Sequence, residues 1–217
     1  MNKHPADTAG GAPPPEALRP PSMTNGQLPK DHTQAILEVT KHVAALLKQS
    51  GQPFALAGSV AAFAHGVPAR FQHDTDFCMR REDAEAAIKA LEDGGIEMRR
   101  AAEDWLVKGR MGGEEVDLIF ELARRPVSME LLERASVKSV DSVWMPVLSP
   151  TDLMDSRLAA LSEHYCDLGD LLPMARMLRE QIDWVRLDRV HRDAPLPDAF
   201  LYLLDRLRVI DRAKGIS

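Results

Sequence analysis

Two aspartates one residue apart, Asp74 and Asp76, and a third, Asp117, alone in an apolar run, are the residues of this chain best suited to chemistry. Side chains alternate across a strand, so within the run 71–79 Asp74 and Asp76 project from one face while Thr75 and Phe77 point to the other. Carboxylate oxygens converging in this way suit hard divalent cations. Two Mg2+ ions held there can neutralise the charge that grows when a nucleotidyl group leaves pyrophosphate for an attacking oxygen. Asp117 is flanked by Val116 and Leu118 in the run EVDLIFEL, residues 115–122, and a carboxylate buried there needs a partner or a metal. On a neighbouring strand it would complete the metal set and help deprotonate an acceptor hydroxyl.

Gly58-Ser59 is the second candidate element, placed where the short apolar run 54–57 gives way to a small-residue helix. Small residues at a helix start let a phosphate reach free N–H groups, and the Ser59 hydroxyl adds a donor. Each feature also has a plainer reading. The aspartates could be a solvated strand end, Asp117 a salt-bridged edge residue, and Gly58-Ser59 a tight turn with an N-cap. Arg70 could bind a triphosphate or pair with an acidic neighbour. His73 precedes the first aspartate and could touch metal or substrate, although a solvated role is commoner, and His65 is expected to close a helix. The pairs Arg80-Arg81, Arg99-Arg100 and Arg124-Arg125 could line an RNA path, with solvated strand ends as the alternative.

These residues need elements to hold them. Residues 1–29 are rich in Pro, Gly, Ala and Ser and are expected to be a disordered tail. From Asp31, helical spacing of Ile36, Val39, Val43, Leu46 and Leu47 predicts a helix ended by Gly51-Gln52-Pro53. A strand over 54–57, a short helix over 60–64 closed by His65-Gly66, and a strand over 71–79 follow. The next helix spans 82–91, with strands over 96–100, 105–111 and 115–122 and a hairpin turn at Gly112-Gly113. A connector over 124–135, a last sheet strand over 137–148, and helices over 150–163, 167–182 and 197–211 complete the chain. The expected class is α+β: a mixed sheet with flanking helices over 30–148 and a helical C-terminal part over 149–217. Trp105, Trp144 and Trp184 are expected in the core or at an interface.

Composition narrows the field without choosing an activity. The 217 residues are 45% hydrophobic, enough for a sizeable core, and the net charge of −6 gives no global nucleic-acid signature. A local basic patch or bound magnesium would be needed for RNA. No run approaches the length of a membrane span and the N-terminus lacks a signal-peptide core, so the cytoplasm is the expected compartment. Cys78 and Cys166 are far apart and suggest neither a disulfide nor a zinc site.

The ordered set Gly58-Ser59, His65-Gly66, Arg70, Asp74-x-Asp76 and Asp117 resembles the DNA polymerase β-type nucleotidyltransferase superfamily. More narrowly it is similar to minimal nucleotidyltransferases and to the AbiEii-like toxins of type IV toxin–antitoxin systems. Ser149-Pro150-x-Asp152-Leu153 and Asp167-Leu168-x-Asp170-Leu171 resemble the helical segment of those families, and the likeness covers about residues 35 to 180. Gln72, Thr75 and Arg157 depart from the pattern, standing where Thr, an apolar residue and Lys are usual. The resemblance implies a Mg2+-dependent enzyme with two ions on Asp74, Asp76 and Asp117, and an NTP such as ATP held by Gly58, Ser59 and Arg70. Arg157, Asp167 and Asp170 could help place nucleotide or acceptor, with helix salt bridges as the equal alternative. It implies tRNA or another RNA end as acceptor and a neutralising antitoxin as partner. A protein side chain and a small molecule, such as an aminoglycoside or lincosamide, remain open as acceptors. A nucleotide-binding scaffold that does not turn over is the rival from another class.

Overall fold

The structure, a computed structural model, describes residues 32–68, 71 and 74–212. Helix α1 (His32–Ser50) presents Ile36, Val39, Val43 and Leu47 to the core and ends at Gly51, whose φ of 72° lets the chain reverse. Strand β1 (Phe54–Leu56) is buried at every residue, and α2 (Gly58–Ala64) follows it directly. Strand β2 (Asp74–Met79), α3 (Ala84–Asp93), β3 (Glu97–Arg100), β4 (Leu106–Met111) and β5 (Glu114–Ile119) come next. A small hairpin, β6 (Glu121–Leu122) and β7 (Arg125–Pro126), precedes α4 (Met129–Glu133), β8 (Ser136–Val140) and β9 (Val143–Val147). The chain closes with α5 (Pro150–Ala160), α6 (Leu168–Met177), α7 (Trp184–His191) and α8 (Pro195–Arg206).

The seven-stranded mixed sheet runs β3-β4-β5-β2-β1-β9-β8. Strand β2 lies at its centre, antiparallel to β1 and parallel to β5, so Asp76 is level with Asp117. Helices α1 and α3 cover the face that carries Thr75, Phe77, Val116 and Leu118. Thr75 stands at a position that is usually apolar, and here it is fully occupied: its hydroxyl shares a 2.9 Å hydrogen bond with Thr40, whose own hydroxyl lies 2.8 Å from the Ile36 carbonyl. The departure at Thr75 therefore belongs to the α1–sheet interface and not to the opposite face.

The expected class is found, with local corrections. The run 115–122 is not one strand: β5 ends at Ile119 and the chain folds into the β6–β7 hairpin, with Ala123 and Arg124 at φ of 53° and 58°. The run 137–148 is two strands, because Asp141 and Ser142 adopt φ of 43° and 72° and reverse the chain. Asp141 is held in that turn by Lys41 at 2.7 Å and Gln34 at 3.3 Å, contacts from α1 that offset the backbone cost. Among the described residues the C-terminal part holds four helices, since α7 lies between two that were expected. Strand β2 starts at Asp74, and the expected stretch before it lies mostly outside the described residues. Trp105 and Trp144 are exposed and so lie outside the core. Among the described residues no helix is long and apolar enough to cross a membrane, and both cysteines are free.

Candidate active site

Sheet register brings the three aspartates together. Asp74 and Asp76 rise from the face of β2 opposite Thr75, and Asp117 stands beside Asp76 on parallel β5. One oxygen from each lies within 4.8 Å of the others. Close negative charges with little water between them resist ionisation. Burial, then Asp74 and Asp117, push the Asp76 carboxyl up to about 7, with Arg157 and Lys108 pulling the other way. Burial likewise raises Asp117, opposed by hydrogen bonds from Lys108. Such a set is short of positive charge, and its hard oxygen donors fit divalent cations.

Gly58 sits against this cluster. Its φ is 63°, and a Cβ there would fall 1.8 Å from Asp76 Oδ2. The turn thus has to be glycine for two reasons: the left-handed backbone, and the carboxylate directly over it. The Ala57 N–H donates to the Asp76 carbonyl at 2.8 Å and ties the β1–α2 turn to β2. The first N–H groups of α2, Ser59 among them, have no intrahelical acceptor, and no N-cap side chain takes them. Gly58→Ala is expected to cut activity about a hundredfold, the scale of an ångström-level misplacement, with a lowered but still single cooperative denaturation transition showing that the variant folds. An unchanged kcat/KM would show that Asp76 can move aside at no cost.

Lys108 was not among the residues expected from the sequence. It lies opposite Asp117 on antiparallel β4, and its Nζ donates to the two Asp117 oxygens at 3.1 and 3.2 Å. Burial works against the ammonium, yet the hydrogen bonds it donates to Asp117 raise it above the ordinary lysine range. The signal was present: a two-residue turn at Gly112-Gly113 fixes the pairing, and counting outward from it places Lys108 across from Asp117. Arg99 follows in the same row on β3 and reaches Glu115 at 3.5 Å.

The remaining candidates are distributed as follows. Arg70 and His73 lie outside the described residues. His65 closes α2, and its ring Nε2 donates to the Leu148 carbonyl at 2.8 Å. Asp167 caps α6 through the N–H groups of Gly169 and Asp170. Arg80 pairs with Asp83 and Glu82, and Arg81 lies over the Phe120 ring, so these two serve local packing. Arg125 binds Asp155. Ser149 caps α5, and Asp152 is buried between Arg134 and Arg186.

Residues 6–209 match the model of a protein family described as uncharacterised nucleotidyltransferase. The chain belongs to this family. No curated protein sequence matches it. Among solved structures, this nucleotidyltransferase is similar to ANT(2'')-Ia in complex with adenylyl-2''-tobramycin, at 12% identity and a TM-score of 0.54, covering 76% of this chain and 95% of that one. A solution structure of the antibiotic-resistance factor ANT(2'')-Ia gives 13% identity and a TM-score of 0.50, covering 85% and 100%. The lincosamide antibiotic adenylyltransferase LnuA, lincomycin-bound, gives 12% identity and a TM-score of 0.47, covering 64% and 94%. At identities this low, the two ANT(2'')-Ia likenesses speak to the fold and to nothing finer.

Proposed function

We propose that this nucleotidyltransferase moves a nucleoside monophosphate from an NTP, such as ATP, to an acceptor hydroxyl, with Asp74, Asp76 and Asp117 holding two Mg2+ ions. The observation that carries the reading is the convergence of three carboxylates within 4.8 Å, with Asp76 held near pH 7 by burial and its neighbours. When bound, the ions would supply charge neutralisation at the α-phosphate and polarise the attacking hydroxyl. The chain's own residues do the rest. Gly58 and Ser59 offer a turn and free N–H groups to the triphosphate, and Arg157, whose charge already acts on Asp76, is the nearby guanidinium for it. Asp117 lies on the side of β2 away from β1 and is the candidate to take the acceptor proton.

In-line displacement puts the attacking oxygen and the leaving pyrophosphate on opposite sides of phosphorus. With the triphosphate at the β1–α2 turn, the acceptor therefore comes in over β5, β4 and β3. Strands β2 and β5 carry Asp74, Asp76, Glu115 and Asp117 on this face, whereas β4 and β3 carry Lys108, Arg110 and Arg99 against one acid, Glu97. Arg99 and Lys108 already pair with Glu115 and Asp117, which leaves Arg110 on the outer strands; once bound cations neutralise the aspartate row, this edge favours an anionic acceptor, an RNA end above all, over a polycation such as an aminoglycoside. The finer role, a toxin acting on tRNA and held in check by an antitoxin, follows as the biological reading of an RNA acceptor. It is supported by sequence resemblance alone.

The test is a labelling assay with each α-labelled NTP, Mg2+, and separately total RNA, cell protein or a panel of aminoglycosides and lincosamides. Label is expected in RNA and absent from an Asp74→Ala/Asp76→Ala variant. Label in an antibiotic instead would overturn the acceptor assignment while keeping the chemistry. Saturable NTP binding with no label anywhere would favour a silent scaffold. For the toxin role, expression should arrest growth and Asp76→Ala should relieve the arrest.

A further inference from the structure

Lys108 enters the carboxylate row from β4, and its contact is set by register. It pairs with Asp117 in the β4–β5 ladder, donates to both Asp117 oxygens at 3.1 and 3.2 Å, and lies 3.9 Å from Glu115. Its side chain is 29% exposed, so the stem is held while the ammonium faces the acids. Arg99, next in the row, is drawn to Glu115 and not to Asp117. Asp74 and Asp76 make no ion pair with Lys108, which acts on them only through space.

We propose that Lys108 is a built-in counter-cation at Asp117, standing in for a divalent ion there and competing with it. This rests on the reading of Asp74, Asp76 and Asp117 as a divalent-cation site. Without a metal, three carboxylates within 4.8 Å repel one another, and an ammonium hydrogen-bonded to one of them lowers that repulsion and keeps Asp117 aimed into the row. A cation approaching the same Asp117 oxygens meets a positive charge already in place. Lys108 thus trades metal affinity for a site that stays assembled while empty. It is a positioning residue, acting through Asp117.

The trade is measurable because the two effects have opposite signs. Mn2+ binding would be followed by the electron paramagnetic resonance of the free ion, and thermal unfolding recorded with and without Mn2+. Wild type, Lys108→Met, Lys108→Arg and Asp76→Asn would be compared. Lys108→Met is expected to bind Mn2+ about tenfold more tightly, the scale of removing one nearby charge. Its melting temperature should be lower than wild type without metal and rise further on adding Mn2+. Lys108→Arg should resemble wild type. A purely structural lysine would weaken binding when lost, so tighter binding cannot come from damage to the fold. Unchanged or weaker Mn2+ binding by Lys108→Met overturns the proposal while the metal site stands. Absence of Mn2+ binding in wild type and every variant overturns the metal-site reading itself, and the proposal with it.

Discussion

Asp76→Asn is expected to slow nucleotide transfer about a thousandfold and at the same time to make the metal-free protein more stable at high pH. The loss follows from position. Asp76 is central in the row, between Asp74 on its own strand and Asp117 alongside, and the Gly58 turn is built against its carboxylate. Charge stabilisation by a bound cation supplies several kcal/mol to a transition state. Forfeiting about 4 kcal/mol is about a thousandfold in rate at 1.36 kcal/mol per tenfold. The stability gain follows from the sign of the shift. The Asp76 carboxyl is raised from 3.8 to about 7 in the fold, so over that window the native state holds a proton that the unfolded chain has released. Stability therefore falls as pH rises through the window, and the penalty is complete above about pH 7. Asparagine carries no such charge. Melting temperatures measured in EDTA should show a gap in favour of Asp76→Asn that is small near pH 4 and widens toward about pH 8. Adding Mg2+ should raise the wild type and leave the variant unmoved. A gap that stays constant with pH would mean that Asp76 is not the strained charge of this site.

The site was legible in the sequence because its chemistry is local. Gly58-Ser59 and Asp74-x-Asp76 declare themselves within a few residues, and strand alternation alone puts the two aspartates on one face. Asp117 could be paired with them only by inference, since its place beside Asp76 depends on β2 and β5 being parallel neighbours, a long-range fact. Lys108 was within reach of the hairpin count at Gly112-Gly113 and still escaped notice, because a lysine in an edge-like strand reads as solvated. The misread strands share one cause. Ala123-Arg124 and Asp141-Ser142 take left-handed backbones without glycine or asparagine. At Asp141 the conformation is held by Gln34 and Lys41 about a hundred residues earlier in the chain, a support invisible to any local window. Helix α7 is short and follows closely on another helix, which hides its own start. Asp183 caps it and Leu187 is buried beneath it, while Arg186 and His191 find their aspartates on α5 only in the fold.

Asp155→Asn is expected to cost about 3 kcal/mol of folding stability, the range for breaking a buried ion pair from one side. Asp155 and Asp152 lie one turn apart on α5, and both are almost fully buried. Asp155 accepts from His191 on α7 at 2.8 Å and from Arg125 on the β6–β7 hairpin. Asp152 accepts from Arg134 after α4 and Arg186 on α7, at 2.8 and 3.0 Å. Burial alone would raise both carboxyls. The hydrogen bonds from His191 and Arg125, and from Arg134 and Ser149, outweigh it and hold each below the ordinary carboxylate value. A depressed folded pKa contributes stability that is present above the unfolded value, near 4, and lost as pH falls through the folded one. In urea, Asp155→Asn should unfold earlier with an unchanged slope. Its melting temperature should drop by about 6–12 °C, from 2–4 °C per kcal/mol at this chain length. The difference from wild type should shrink below about pH 4, where the native carboxylate is itself being protonated. Arg125→Ala should cost less, about 1 kcal/mol, because its guanidinium is half exposed and leaves His191 still bonded. The four partners come from both sides of the boundary between residues 30–148 and 149–217, so we propose that the two segments unfold in one transition. Two separate transitions in Asp155→Asn alone would show that these aspartates are what couples them. Two transitions in the wild type would show that nothing does.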